Sequence, residues 1–259
     1  MVDAGPSFNI TRINLEATYE LIRNAIMSSL PPQQSAMVGA AEAMAQGYIG
    51  MSLMDALNLF TGEFASGTSY SDQGESQQIF AATIQKPDSV LRVVRAVIGK
   101  MIVSEDTSGS TTFIDIATPY QDPKTHMQRK KPYYVAVTPQ MLLVAPRKQM
   151  LRDAIVRLDT GTADPAQPSV MANPDFAGLR SRLPDKLSGL SATDIGKIPW
   201  DKMLASVEDQ MAQSAGPASG QAPTDLSWIK PEVFLRYLHI TVGGWWKDAN
   251  GVYLDSYIQ

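Results

Sequence analysis

Two histidines, no cysteine and a set of carboxylates with no converging pattern are what this 259-residue chain offers to catalysis. His126 stands in the polar run Asp122-Pro-Lys-Thr-His-Met-Gln-Arg-Lys-Lys131, and His239 stands at an expected strand start. Neither has a second histidine at helical spacing, which excludes a histidine-rich metal site. A Ser-His-Asp triad would have to use one of these two, and no Gly-x-Ser-x-Gly elbow is present. The glycine patterns that cradle dinucleotides and nucleoside triphosphates are absent too, so no cofactor is expected. Without cysteine there is no thiolate nucleophile, no disulfide and no cysteine-ligated zinc or iron–sulfur centre. Glu63 with Glu75 or Asp115 would be the pair for a carboxylate-dependent hydrolase, if the fold brought them to the separation such chemistry needs. The plainer role of Glu63 is a strand-edge carboxylate near a helix C-terminus. No catalytic, cofactor-binding or metal-ligating residue is therefore assigned.

Charge is the other lead. The formal net charge is −4, yet residues 86–158 hold 12 Lys and Arg against 6 Asp and Glu, and the remainder holds 10 against 20. A basic segment thus sits in an acidic body. Within it Lys124, His126, Arg129, Lys130 and Lys131 crowd one expected connection between strands, beside Tyr120, Tyr133 and Tyr134. Clustered cations next to aromatic rings combine charge attraction with stacking. The candidate contact for an anionic partner is Lys124, His126, Arg129, Lys130, Lys131 and Tyr133. Nucleic acid is not the expected partner, because no nucleic-acid-binding motif accompanies the cluster. A solvated, internally balanced loop is the alternative.

These residues need elements to position them. A strand over 8–13 precedes an amphipathic helix over 15–30, with Tyr19, Ile22, Ile26 and Leu30 on one face and Pro31-Pro32 ending it. Helices are expected over 35–46 and 52–60, and a hairpin over 63–70 and 77–85. Pro87 and Asp88 open a helix whose Val90, Val94, Val97 and Met101 share a face. Strands follow at 111–120, 133–138 and 141–145, and an amphipathic helix at 148–158. The order from Glu63 is ββαβββα, which favours an α+β fold: a mostly antiparallel sheet with helices packed on one face. Past a loop and a short helix over 174–183, a strand lies within 187–195 and helices over 199–213 and 231–238. A closing hairpin over 239–246 and 252–259 turns on Asn250-Gly251. Trp245 and Trp246 send one indole to each face of that hairpin. Residues 214–225, rich in Ala, Gly, Pro, Ser and Gln, can bury almost nothing and are expected to be mobile.

Strand, helix, variable region, helix and hairpin occur in both halves, which hints at internal duplication. Thr11-Arg-Ile13 aligns with Thr193-Asp-Ile195, Tyr19 with Trp200, and Thr61-Gly62-Glu63 with Thr241-Val-Gly243. The expected organisation is a first half over 1–158, with the basic segment at 86–158, a connection over 159–186, and a shorter second half over 187–259.

The stretch Lys131-Pro-Tyr-Tyr-Val-Ala-Val-Thr-Pro-Gln-Met-Leu-Leu-Val-Ala145, followed by a helix near Met150-Leu151, resembles a pattern in a bacterial domain-of-unknown-function family. The Gly62-Glu63 step after a helix and the closing Asp248 to Gly251 turn are similar to that family's as well. The resemblance implies duplicated α+β halves within exported or membrane-anchored proteins, and it brings no catalytic residues. It also implies an N-terminal anchor, which this chain lacks. Taken as complete, the chain would be cytoplasmic, having neither signal peptide nor transmembrane helix. As a fragment of a longer exported protein it would be envelope-associated. The functional expectation is a noncatalytic binding or scaffolding module, with a carboxylate-dependent hydrolase as the alternative and no cofactor in either.

Overall fold

Asn14 opens the first helix, its side chain accepting from the Ala17 amide at 3.0 Å, and the pair Pro31-Pro32 prevents that helix from continuing. In the computed structural model, which describes residues 5–71, 74–122, 127–160, 170–214, 228–248 and 251–259, this is α1 (Leu15–Ser29), preceded by β1 (Ser7–Arg12). Pro32 sits in the first turn of α2 (Pro32–Ile49), which ends on Gly50 at φ 75° with the Gly50 amide donating to Gln46. Ser52 caps α3 (Leu53–Leu57), and the hairpin β2 (Phe60–Tyr70) and β3 (Ser76–Ile84) follows. Next come α4 (Pro87–Ile98), β4 (Ile102–Ser108), β5 (Thr111–Gln121), β6 (Gln128–Val137), β7 (Met141–Ala145) and α5 (Lys148–Thr160). The chain closes with α6 (Pro174–Arg180), β8 (Gly189–Asp194), α7 (Trp200–Ser214), α8 (Pro231–Phe234), β9 (Ile240–Lys247) and β10 (Val252–Ile258). From β2 the order is ββαββββα: β4 is one strand more than periodicity finds. Its burial explains this, since every β4 residue after Ile102 is exposed and no face selects apolar side chains.

All ten strands form one antiparallel sheet in the order β10-β9-β8-β1-β2-β3-β7-β6-β5-β4, which establishes the α+β class. The expected one-sided helix packing does not describe it. Ile79, Phe113, Ala136 and Leu143 pack with Leu151 and Ala154 of α5 on one face. Ile114, Ile116, Val135 and Val137 pack with Val90 of α4 on the other. Because β7 presents Leu143 to one side and Leu142 and Val144 to the other, its continuous apolar run reflects burial on both faces. A third cluster joins Phe8, Ala192, Ile240 and Val242 to Phe176 and Leu179 of α6. Phe8 is paired through Gly67 to Ile79, so α6 lies on the α5 side of the sheet.

The two expected halves meet at β1 and β8. Pairing runs from Ser7 opposite Thr193 to Thr11 opposite Gly189, centred on Asn9 and Ser191. About that pair the backbone bonds repeat. Arg12 donates to Ser188 at 2.6 Å, and Asp194 donates to Pro6 at 2.7 Å. Ile13 donates to Gly62 at 2.7 Å, and Ile195 donates to His239 at 2.8 Å. The hairpin β2–β3 then extends the sheet one way and β9–β10 the other.

Differences from expectation lie at the periphery. Among the described residues nothing covers the apolar face of α1: the helix buries no residue, and Leu21, Ile22 and Ile26 are exposed at 71, 54 and 44%. Its attachment to α2 is polar, through Tyr19 and Arg23, which both donate to Glu42 at 2.6 and 2.7 Å. Residues 215–225 of the tract expected to be mobile lie outside the described residues. Among the described residues no helix is long and apolar enough to cross a membrane.

Candidate functional site

The basic cluster is on a strand. β6 starts at Gln128, so Arg129, Lys130 and Lys131 are ladder residues opposite Tyr120, Pro119 and Thr118 of β5. Lys124 and His126, the other two expected contacts, lie outside the described residues. Gln128-Arg-Lys-Lys131 escaped recognition as a strand because all four residues are exposed, which leaves no buried face to impose alternation.

Among the described residues these two strands run on past their sheet neighbours. Pairing with β4 ends at Ile116, and pairing with β7 ends at Tyr134. From there β5 and β6 run on through five further pairs, Ala117 with Pro132 to Gln121 with Gln128, an arm roughly 17 Å long at about 3.3 Å per residue. Pro119 and Pro132 each remove a backbone donor from it, which disfavours addition of a third strand. At the outer end the Asp122 amide donates to Met127 at 2.9 Å, and the Arg129 guanidinium pairs with the Asp122 carboxylate at 3.0 Å.

Strand alternation sorts the side chains. Arg129, Lys131 and Tyr133 share a face with Tyr120 and Thr118, and Lys130 lies on the opposite face. Tyr133 packs against the α4 cluster, and the Lys131 ammonium stands 6.0 Å from its ring centroid. Thr118 donates to the Lys131 carbonyl at 3.0 Å, which holds the ladder straight beneath the cations. Tyr120, at the far end of the same face, is 40% exposed. Lys130 and Lys131 have no carboxylate partner among the described residues. Asp122, the acidic residue near them, is 9% exposed and paired with Arg129. Two lysines and a partly neutralised arginine, set between tyrosines on a projecting ribbon, can attract and stack on an anionic partner.

The carboxylates considered for hydrolysis do not meet. Glu63 is on β2 and Asp115 on β5, with β3, β7 and β6 between them, so four strand spacings of about 4.8 Å separate their strands by roughly 19 Å. That is well beyond the ~5–9.5 Å between the carboxyls of glycosidases. Asp115 is committed locally, accepting from Ser104 at 2.9 Å and lying 3.2 Å from the Lys148 ammonium. The Lys148 pKa is raised by its hydrogen bond to Asp106 and then by Asp115, against the opposing effect of desolvation. Glu75 sits past the end of β2, whose seven steps from Glu63 to Tyr70 span roughly 23 Å.

Glu63 does line a recess of about 610 Å³ with Arg12, Asn14, Glu16, Asn58 and Gly62. It pairs there with Arg12 at 3.5 Å, both side chains being largely in water at 46 and 68% exposure. An ion pair so exposed contributes at most ~1 kcal/mol, and nothing in the open recess excludes water from it. His239 is exposed just before β9 and held by its backbone, donating to Gln259 and accepting from Ile195. Trp245 and Trp246 are both half-buried. Trp245 lies against Gly189, where a Cβ would come within 2.0 Å of the indole nitrogen, and Trp246 stacks on Tyr253 at 5.5 Å. Among the described residues no group of three or more metal-ligating side chains gathers. Comparison with protein-family models, with curated proteins and with solved structures finds no match for this chain.

Proposed function

We propose that this chain is a noncatalytic binding or scaffolding module and that the β5–β6 arm is the surface through which it meets an anionic partner. The observation that carries this reading is the arm itself: five ladder pairs beyond the sheet, presenting Lys131 and Arg129 between Tyr133 and Tyr120 on one face and Lys130 on the other. A ribbon fixes the spacing of its cations, whereas a loop must order them on binding. The family resemblance adds that such a module belongs at the bacterial envelope, where phosphate-bearing polymers and acidic headgroups supply anions. Fractionation of the producing cell, with the chain in its native reading frame, tests that part.

Titration of heparin and of anionic vesicles at low and moderate salt tests the arm, comparing the parent with Arg129, Lys130 and Lys131 all changed to Ser. Each basic residue at an anionic surface contributes about 1 kcal/mol, so the triple variant should lose roughly a hundredfold in affinity. Salt should weaken the parent more steeply than the variant. Equal binding by both, or none by the parent at low salt, removes the reading.

A further inference from the structure

The sheet has two edges, and they are built differently. On β4 the register with β5 shifts between Ile102 and Ser104, Glu105 is tied to Arg95, and Asp106 is tied to Lys148. An irregular, charged edge resists pairing with another strand. β10 has none of these devices. It holds seven residues in unbroken register with β9, with no proline, no lysine and one carboxylate, Asp255.

Which backbone groups β10 leaves open follows from its pairing. Gln259 and Ile240 exchange both N–H···O bonds at 3.0 Å. Alternate residues therefore turn their amides and carbonyls to β9, and Val252, Leu254, Ser256 and Ile258 direct theirs to the free edge, where the Ser256 amide is held by the Asp255 carboxylate and would exchange that bond for a partner's carbonyl. The same four side chains lie on the face away from α6, and Val252, Leu254 and Ile258 are exposed at 69, 82 and 57%. Asp255 points to the other face, accepting from the Tyr257 hydroxyl at 2.8 Å and from the Ser256 amide at 2.9 Å. Open bonding capacity and an apolar row thus coincide on one strand, and only another extended strand satisfies both.

We propose that β10 pairs antiparallel with β10 of a second copy of this chain, about a two-fold axis at Ser256. In that register Leu254 faces the partner's Ile258 on both sides of the axis, and Asp255 faces the partner's Tyr257. The alternatives fit less well. Moving the axis to Asp255 sets two carboxylates directly opposite each other, which is destabilising. Moving it to Leu254 carries Ile258 past the partner's Val252 and loses the Leu254–Ile258 contact, whereas the Ser256 axis leaves only Val252 at the margin. This pairing is independent of the basic arm, which lies toward the β4 edge.

The test is the solution mass of the 259-residue chain, by light scattering and sedimentation from low to high micromolar concentration, with circular dichroism to confirm folding. The parent should pass from 28.2 kDa to twice that mass as concentration rises. Leu254→Lys should weaken the association at least roughly tenfold, and Val103→Lys on the β4 edge should leave it unchanged. Because the chain has no cysteine, Ser256→Cys gives a clean second readout needing no loss of stability. Antiparallel partners across the axis lie about 5.5 Å apart, within disulfide reach, so Ser256→Cys should oxidise to a covalent dimer and Leu254→Cys should not. A parent that stays at 28.2 kDa throughout, a dimer that survives Leu254→Lys, or cross-linking at 254 in place of 256 overturns the proposal.

Discussion

Replacing Gly62 by alanine tests how the first hairpin is attached to the strand before it. Gly62 has φ 83°, and a Cβ there would lie 2.1 Å from the Ile13 carbonyl oxygen, while the Ile13 amide donates to Gly62 at 2.7 Å. Holding an L-residue in the left-handed region costs about 1–2 kcal/mol. The Cβ overlap is with backbone and cannot be relieved by turning a side chain, so Ile13 and Gly62 must separate and the hydrogen bond between them, worth about 1 kcal/mol, is lost or bent. The sum is about 3 kcal/mol. Gly50 supplies the control, because it has a similar φ of 75° and open space around the added Cβ. Gly50→Ala should therefore show the dihedral cost alone, about 1–2 kcal/mol. The entropy that alanine removes from the unfolded chain favours both variants equally and cancels in the comparison. For a chain of this size 1 kcal/mol moves Tm by about 2–4 °C, so Gly62→Ala should lower Tm by roughly 6–12 °C and Gly50→Ala by about half as much. Thermal unfolding followed by circular dichroism reads both. Equal drops would show that the start of β2, where its register with β3 shifts between Phe60 and Phe64, relaxes freely and that the close approach of Ile13 does not constrain it.

Two further outcomes concern the core and the outlying helices. Leu151 is fully buried beneath α5, so Leu151→Ala should destabilise by about 2–5 kcal/mol in urea unfolding, whereas Leu21→Ala on α1, at 71% exposure, should stay within about 0.5 kcal/mol. Hydrogen bonds from Arg23 and then Tyr19 hold the Glu42 carboxyl below its ordinary 4.5, and the Glu42 bond holds the Tyr19 hydroxyl above its ordinary 10.0. The depressed glutamate makes its contribution above pH 4.5 and loses it as pH falls through the lowered value; the raised tyrosine makes its contribution below pH 10.0 and loses it as pH rises through the raised value. Protection of the α1 amides, taken relative to their intrinsic exchange rate at each pH, should accordingly be highest between those limits and fall outside them, and Glu42→Gln should flatten the acid side. An acid limb that persists in Glu42→Gln would place its origin elsewhere.

Periodicity located the elements that bury a face. Val90 and its neighbours marked α4, the doubly covered run 141–145 marked β7, and Pro87 and Pro31-Pro32 marked helix boundaries, all where the structure has them. It could not show which face a helix would cover. The apolar side of α1 looks like any core-facing stripe, yet Ile22 and Ile26 are exposed. Nor could it show that α4 and α5 would take opposite faces, because that depends on which strands each crosses. The bonds that repeat about Asn9 and Ser191 define a local two-fold relation of two antiparallel strands, which is not by itself a duplication. Aligning Thr11 with Thr193 agrees with it, since both stand two residues past the central pair. Aligning Glu63 with Gly243 does not, because the register sets Glu63 opposite Arg12 and Ile240 opposite Asp194, three residues from that match. The miss arises at β2, which begins at Phe60 with a shifted register that alternation in the sequence does not reveal.

The strands hardest to read share a physical cause with the surfaces open to partners. Hydrophobic alternation records burial, so a strand with water on both sides leaves no trace of itself beyond β-propensity. β4 and the first half of β6 carry no alternation for this reason, so Arg129, Lys130 and Lys131 fall in an expected connection while their β5 partners fall in an expected strand. The converse error is as informative. β10 does read as a strand, Val-Tyr-Leu-Asp-Ser-Tyr-Ile, and its alternation promises a covered face for Val252, Leu254 and Ile258 that the described residues do not provide. An apolar row kept on an edge costs solubility and invites association, which natural sheets otherwise suppress with charge, as β4 does here. A row of this kind on an edge with unbroken register is therefore a mark of pairing, and mixing Leu254→Lys with its parent should show it directly: with one of two Leu254–Ile258 contacts changed, the mixed dimer should be weaker than the parent's and stronger than the variant's own if the edges meet, and all three should be equal if they do not.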